Sequence, residues 1–218
     1  MNLSESLQKT IKTLPASVTL VAVSKTRTTE EILEMYEAGQ RDFGENRVQE
    51  LVEKQKVLPK DIRWHQIGHL QTNKVKAIVP FIHLIQSVDS LDLLEVIEKE
   101  AGKIDRRISV LLEVKIAQED SKFGLTFEEA SDILEQKKAG GFPHLSIDGL
   151  MGMASFVEDE NQVRAEFSSL YDFFVKHQKE FNQGILSMGM SDDYPLAVEC
   201  GSTMVRIGTK LFGKRRLP

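Results

Sequence analysis

Short β-branched runs alternate along this chain with longer stretches that carry a cap and an apolar stripe at helical spacing, a rhythm that restricts the fold to parallel strands joined by helices. The run from Val18 to Ser24 is apolar almost throughout, as a strand must be when helices cover one face and packed side chains fill the other. Thr28 and Glu31 stand at capping-box spacing ahead of a helix whose Ile32, Leu33 and Tyr36 supply a buried face and whose Gly39 supplies a left-handed stop. Further strands are expected near Arg41 to Gly44, Trp64 to Gly68, Leu84 to Ser87, Ser109 to Val114, Ser146 to Met151, Ile185 to Met188 and Met204 to Ile207.

Helices fill the intervals. One starts near Asn46, and a short one spans about Gln71 to Ala77. Ser90 caps a third that carries Leu91, Leu94 and Ile97 and closes at Gly102. Thr126 and Glu129 repeat the capping box before Ile133 and Leu134, with Gly140 and Gly141 as the stop. Val163, Phe167, Leu170, Phe174 and Val175 mark a long amphipathic helix, and a last one follows from Tyr194. Eight β/α units make a single (β/α)8 barrel of the TIM type the expected fold, as one domain over residues 1–218. An open doubly wound sheet is the alternative, but the three spaced glycines of its dinucleotide fingerprint are absent after the first strand.

A chain of 218 residues with 41% hydrophobic and 28% charged residues has the composition of an ordinary globular domain. Its net charge of -5 argues against a general binder of nucleic acid, and the basic run Lys214, Arg215 and Arg216 reads as solvated surface. No basic start joins an apolar segment, and no apolar run approaches the roughly 20 residues that cross a bilayer, so a cytoplasmic protein without membrane contact is expected. Cys200 is the single cysteine, which rules out an internal disulfide; it reads as a small buried side chain late in a helix. No Cys/His spacing matches a zinc site.

Barrels of this kind place their sites at the C-terminal ends of the strands and often bind phosphate in the loops after strands seven and eight. Those loops here read Ser187-Met188-Gly189-Met190-Ser191 and Arg206-Ile207-Gly208-Thr209. Each pairs a glycine, which lets backbone approach a ligand, with a hydroxyl that can donate to phosphate oxygen. The N–H groups of Gly208 and Thr209 open a final short helix, a favourable place for an anion. Locally, Ser191, Asp192 and Asp193 read equally well as helix caps; their barrel position is what favours a phosphate. Lys25 follows the first strand at the same end, and a lysine in a partly dry pocket yields the neutral amine that condenses with an aldehyde. Phosphate with lysine suggests pyridoxal 5′-phosphate. Arg206 is out of phase with Val205 and Ile207 and so points into the barrel, where a pyridine nitrogen or a buried carboxylate are equally weighted acceptors. His65, within the third strand, reads as a core histidine bonded to its neighbours and not as a general base.

These motifs are recognisable together. Val23-Ser24-Lys25-Thr26, Phe43-Gly44-Glu45-Asn46, the run Trp64-His65-Gln66-Ile67-Gly68 through Leu70-Gln71 to Asn73-Lys74, Gly149-Leu150-Met151-Gly152-Met153 and both loops resemble the pyridoxal phosphate homeostasis protein family almost from end to end. The resemblance implies the fold of the alanine racemase N-terminal domain, with a helix ahead of the barrel. It implies a Schiff base on Lys25, phosphate held by Ser191, Gly208 and Thr209, Arg206 near the pyridine nitrogen and Asn46 close to the ring. It also implies a carrier or buffer of the cofactor in vitamin B6 homeostasis, passing it to apo-enzymes by transient contact, and not a catalyst. One departure is Lys115, where the family usually has asparagine; with Lys74 and Lys122 it is a candidate for holding a second molecule.

The rival is an amino-acid racemase, which shares the barrel and the lysine but needs a second acid/base on the opposite face of the substrate carbon. In racemases that group comes from an extra β domain, and this chain ends shortly after its eighth strand. A Schiff-base aldolase acting on a sugar phosphate ranks last, because its lysine usually comes from a strand deep in the barrel. No long uncovered apolar stripe calls for a partner, so a monomer is expected.

Overall fold

The computed structural model describes residues 2–118 and 123–213, which leaves Lys122 and the basic run Lys214, Arg215 and Arg216 outside the described residues. Eight parallel strands close into a barrel in chain order, β1 Thr19–Val23, β2 Asp42–Glu45, β3 Arg63–Gln66, β4 Leu84–Val88, β5 Ile108–Val114, β6 Leu145–Gly152, β7 Ile185–Ser187 and β8 Met204–Ile207. Closure comes from β8 lying beside β1, with Val21 opposite Arg206. Helix α1 (Leu3–Ile11) precedes the barrel. The connections then hold α2 (Thr29–Glu37), α3 (Val48–Val57), α4 (Val75–Ile78), α5 (Leu91–Gly102), α6 (Phe127–Lys138), α7 (Glu160–Lys176), α8 (Tyr194–Glu199) and α9 (Thr209–Phe212).

The capping signals form as read. Thr28 with Glu31 and Thr126 with Glu129 make complete capping boxes, and Ser90 accepts from the N–H of Leu93. Gly39 and Gly140 take positive φ just past their helices. Gly102 differs: it lies inside the last turn of α5, and Asp105 takes the left-handed conformation instead. A Cβ at Gly102 would stand 3.2 Å from the His144 ring, so close approach, not a stop, explains that glycine.

Period-two alternation divides the apolar side chains into two cores. Val21, Leu84, Leu111, Met151 and Met204 pack inside the barrel, while Leu20, Ala22, Phe43, Trp64, Val205 and Ile207 pack outward against the helices. Two expected core positions lie elsewhere. Leu33 and Val175 are exposed, and the buried face of α2 is made by Ile32 and Met35, because an apolar residue next in sequence to the stripe is turned about 100° from it. Cys200 is half-buried at the end of α8, packed against the outer core.

Register also fixes a glycine. β6 shifts against β5 between Val110 and Leu111, and there an added Cβ on Gly149 would meet the Ile185 carbonyl oxygen at 1.7 Å. No side chain fits between β6 and β7 at that point. α1 and the turn after it in turn tie down α9 and the start of α8: the Ser6 hydroxyl donates to the Lys210 carbonyl at 2.9 Å, and Thr13 and Tyr194 hydroxyls lie 2.9 Å apart.

Candidate functional site

Six residues picked from sequence converge at the C-terminal end of the barrel. Lys25 after β1, Asn46 after β2, Ser191 after β7, and Arg206, Gly208 and Thr209 in and after β8 all line one cavity of about 360 Å³. That size lies in the range of small-molecule sites. Val23, Ile67, Met153, Phe156, Met190 and Asp192 complete the wall. Sequence reasoning placed none of these in the site, although all but Phe156 stand in or beside the motifs it singled out and Val23, Ile67 and Met153 continue the inward phase of their strands. Gly44 makes room here, since a Cβ on it would stand 2.8 Å from Ile67 Cδ1. Lys115 is half-buried beyond β5, and neither it nor Lys74 is in this wall.

The two loops after β7 and β8 are bonded to one another. Ser191 Oγ accepts from the N–H of Gly208 at 3.3 Å and of Lys210 at 3.4 Å, which leaves its own proton for an acceptor in the cavity. Asp193 begins α8 without capping it; its carboxylate accepts instead from the Met190 N–H at 2.5 Å and closes the β7 loop on itself. Gly189, at φ +96°, faces Ala197 so closely that a Cβ would lie 2.6 Å away. With four residues, α9 contributes individual N–H donors and little helix dipole.

Lys25 sits on a clamped turn. Thr26 follows it in the left-handed region at φ +63°, a conformation that costs a threonine on the order of 1–2 kcal/mol. Its N–H donates to Glu50 Oε2 at 2.8 Å. Lys54, reaching in from α3, donates to the Ser24 carbonyl at 2.9 Å, to Glu45 Oε1 at 2.8 Å and to Glu50 at 3.3 Å, and the Ser24 hydroxyl donates to Glu45 at 2.6 Å. Glu45 is fully buried, and burial pushes its carboxyl up, opposed by the Lys54 ammonium. This cluster is illegible in sequence, since it depends on how α3 lies across β1 and β2.

Arg206 points inward as its phase predicts, almost completely buried. Among the described residues its hydrogen bonds go to carbonyl and hydroxyl oxygens and not to a carboxylate. It donates to the Ser187 carbonyl at 2.9 Å, the Ser187 hydroxyl at 2.6 Å and the Gly152 carbonyl at 3.0 Å. Burial lowers its pKa to about 10, with Glu113 opposing, so it stays cationic at neutral pH. Burial pushes Glu113 in β5 up to about 7; Arg206 works against that and Asp89 adds to it. His65 is the bonded core histidine expected, with Nε2 3.1 Å from Asp42 Oδ1 and Nδ1 2.9 Å from the Gln86 amide.

The polar atoms fit a phosphorylated aromatic aldehyde. Asn46 Oδ1 is buried with no partner beside the cavity, the β7 and β8 loops offer hydroxyl and N–H donors to it, and Lys25 lines the same space. Residues 2–216 match the family model described as alanine racemase, N-terminal domain. A pyridoxal phosphate homeostasis protein of Pasteurella multocida is 37% identical over 98% of this chain and 93% of its own length. The human protein of that name is 40% identical over 90% of this chain and 76% of its own. This chain belongs to the pyridoxal phosphate homeostasis protein family.

Within that family, PipY of Synechococcus elongatus has been solved with PLP bound; it is 37% identical and superposes with a TM-score of 0.87 over 97% of this chain and 100% of its own. Alanine racemase of Clostridium difficile superposes with a TM-score of 0.80 over 99% of this chain and 57% of its own, at 14% identity, which speaks for the shared barrel alone. Among the described residues no helix is long and apolar enough to cross a membrane.

Proposed function

We propose that this chain binds pyridoxal 5′-phosphate as a Schiff base on Lys25 and serves as a carrier or buffer in vitamin B6 homeostasis. The observation that carries this is the single cavity shared by Lys25, Asn46, Ser191, Arg206, Gly208 and Thr209. When bound, the cofactor supplies an aldehyde that reacts reversibly with primary amines. Ser191, Gly208 and Thr209 would hold its phosphate, Arg206 would serve the ring nitrogen and Asn46 would line the ring. A permanently charged guanidinium keeps that nitrogen unprotonated and weakens the ring as an electron sink, which suits storage better than turnover.

Racemisation would need a second acid/base across the cavity from Lys25. The described wall includes Asp192 but no tyrosine or histidine, and Asp192 belongs to the phosphate side. We read the protein as a non-enzyme, monomeric and cytoplasmic, acting as one domain, that hands the cofactor to apo-enzymes by transient contact. Intact mass after borohydride reduction tests this. Wild type mixed with pyridoxal 5′-phosphate gains one reduced adduct and Lys25→Ala gains none; an adduct retained at equal occupancy in Lys25→Ala refutes the assignment.

A further inference from the structure

The interior of the barrel holds a continuous chain of hydrogen bonds that begins at Arg206 and leaves the cavity behind. Arg206 Nη1 donates to Ser187 Oγ at 2.6 Å, and Ser187 Oγ donates to Gln86 Oε1 at 2.7 Å. The Gln86 amide donates to His65 Nδ1 at 2.9 Å, and His65 Nε2 lies 3.1 Å from Asp42 Oδ1. Asp42 also accepts from Arg63 at 2.7 and 2.5 Å, at the N-terminal end of the strands, where a second cavity of about 440 Å³ opens. Five strands contribute, β8, β7, β4, β3 and β2.

Only one direction satisfies every link. Arginine can only donate, so the Ser187 hydroxyl must pass its proton to Gln86. Gln86 then presents its amide hydrogens to His65 and to Met204 Sδ, 3.2 Å away, so reversing the amide would set its oxygen against two acceptors. His65 is left to donate from Nε2 to the carboxylate. A cation at one end and an anion at the other polarise the bonds between them in the same sense, which strengthens each. Burial deprives Arg206 of water, and among the described residues no carboxylate lies within salt-bridge distance of it. The Asp42 carboxylate reaches it through this relay.

We infer that Gln86 and His65 are positioning residues for Arg206, acting through Ser187 and anchored on Asp42, although none of these four lines the cofactor cavity. The part that concerns the cofactor rests on the proposed placement of Arg206 beside the ring. Two variants test it: Ser187→Ala, which removes one oxygen, and Gln86→Met, which keeps the volume and removes the amide. In ligand-free protein the Arg206 Nη–H resonances should be separately resolved in wild type, where these bonds slow rotation about the guanidinium, and should average in both variants. With pyridoxal 5′-phosphate added, dissociation constants should rise ~3- to 10-fold, and the pH at which imine absorbance changes should move. The double variant should be no more than about twofold worse than the weaker single one, because the two residues act in series.

Resolved Arg206 resonances in Gln86→Met, or losses that multiply in the double variant, would overturn the inference. Should Gln86→Met fail to fold, Ser187→Ala decides by the same two readouts. If wild type forms no imine at all, the cofactor assignment falls, while the resonances of the ligand-free protein still judge the relay.

Discussion

The Lys54 ammonium lies 2.9 Å from the backbone carbonyl of Ser24, so the residue immediately before Lys25 is held by a cation that reaches in from a helix outside the barrel. Because the same ammonium meets the buried Glu45 carboxylate, next in sequence to Asn46, one charge fixes two edges of the cavity. The strained Thr26 turn is sustained by this cluster and would relax without it.

Lys54→Met should therefore destabilise the protein by about 3 kcal/mol, the low end for breaking a buried pair, because Glu45 can take up a proton in place of its partner. The loss should grow as pH rises, since the protonated carboxyl becomes harder to keep. Adding Glu45→Gln to Lys54→Met should recover most of it. Denaturant unfolding at pH 6 and pH 8 checks both statements, and a destabilisation under 1 kcal/mol at both would show that the pair is not buried as described.

Gly68 has no Cβ, and one placed there would meet Asn46 at 2.7 Å from its carbonyl oxygen and 2.8 Å from its Cα. These are backbone contacts that cannot rotate away, so Gly68→Ala must displace Asn46 itself. The expected result is a cofactor dissociation constant raised about tenfold for a modest loss of stability, on the order of 1–2 kcal/mol for an overpacked site. Titration of imine absorbance measures the first and thermal unfolding the second; unchanged affinity would remove Asn46 from the site.

What could be read beforehand follows the range of the forces involved. The alternation of strands and helices, both capping boxes and the inward phase of Arg206 depend on neighbours within a few residues, and period and cap chemistry report them directly. That the loops after strands seven and eight line the same cavity as Lys25 was legible because the barrel assigns a role to those loops. The Lys54 cluster and the chain through Gln86 depend on contacts between strands and helices far apart in sequence. The signal available for the second was phase alone: His65, Gln86, Ser187 and Arg206 are all polar at positions that face the barrel interior. Leu33 and Val175 failed for a local reason, since each lies next in sequence to a buried stripe residue and only packing decides which of the two turns inward.

Glu113 gives the protein a pH dependence of known sign. Its carboxyl titrates at about 7 in the fold against an ordinary value of 4.5, so between those values the folded state holds a proton that the unfolded state has released. A group raised in this way stabilises fully below about pH 4.5, and that stabilisation is lost as pH rises to 7. The full span corresponds to about 3 kcal/mol. Asp42 acts oppositely and in another window: Arg63 and His65 hold its carboxyl well below the usual range, so its contribution is present above about pH 4 and disappears in acid. Unfolding free energy should therefore fall more steeply between pH 5 and pH 7.5 in wild type than in Glu113→Gln, which keeps the neutral shape at every pH and leaves the buried Glu45 carboxyl to titrate in both proteins. At pH 7.5 the variant should be the more stable of the two, by up to about 3 kcal/mol. Parallel slopes for the two proteins over that interval would mean that Glu113 is hydrated in solution, and the charge facing Arg206 from β5 would then be a full negative one at neutral pH.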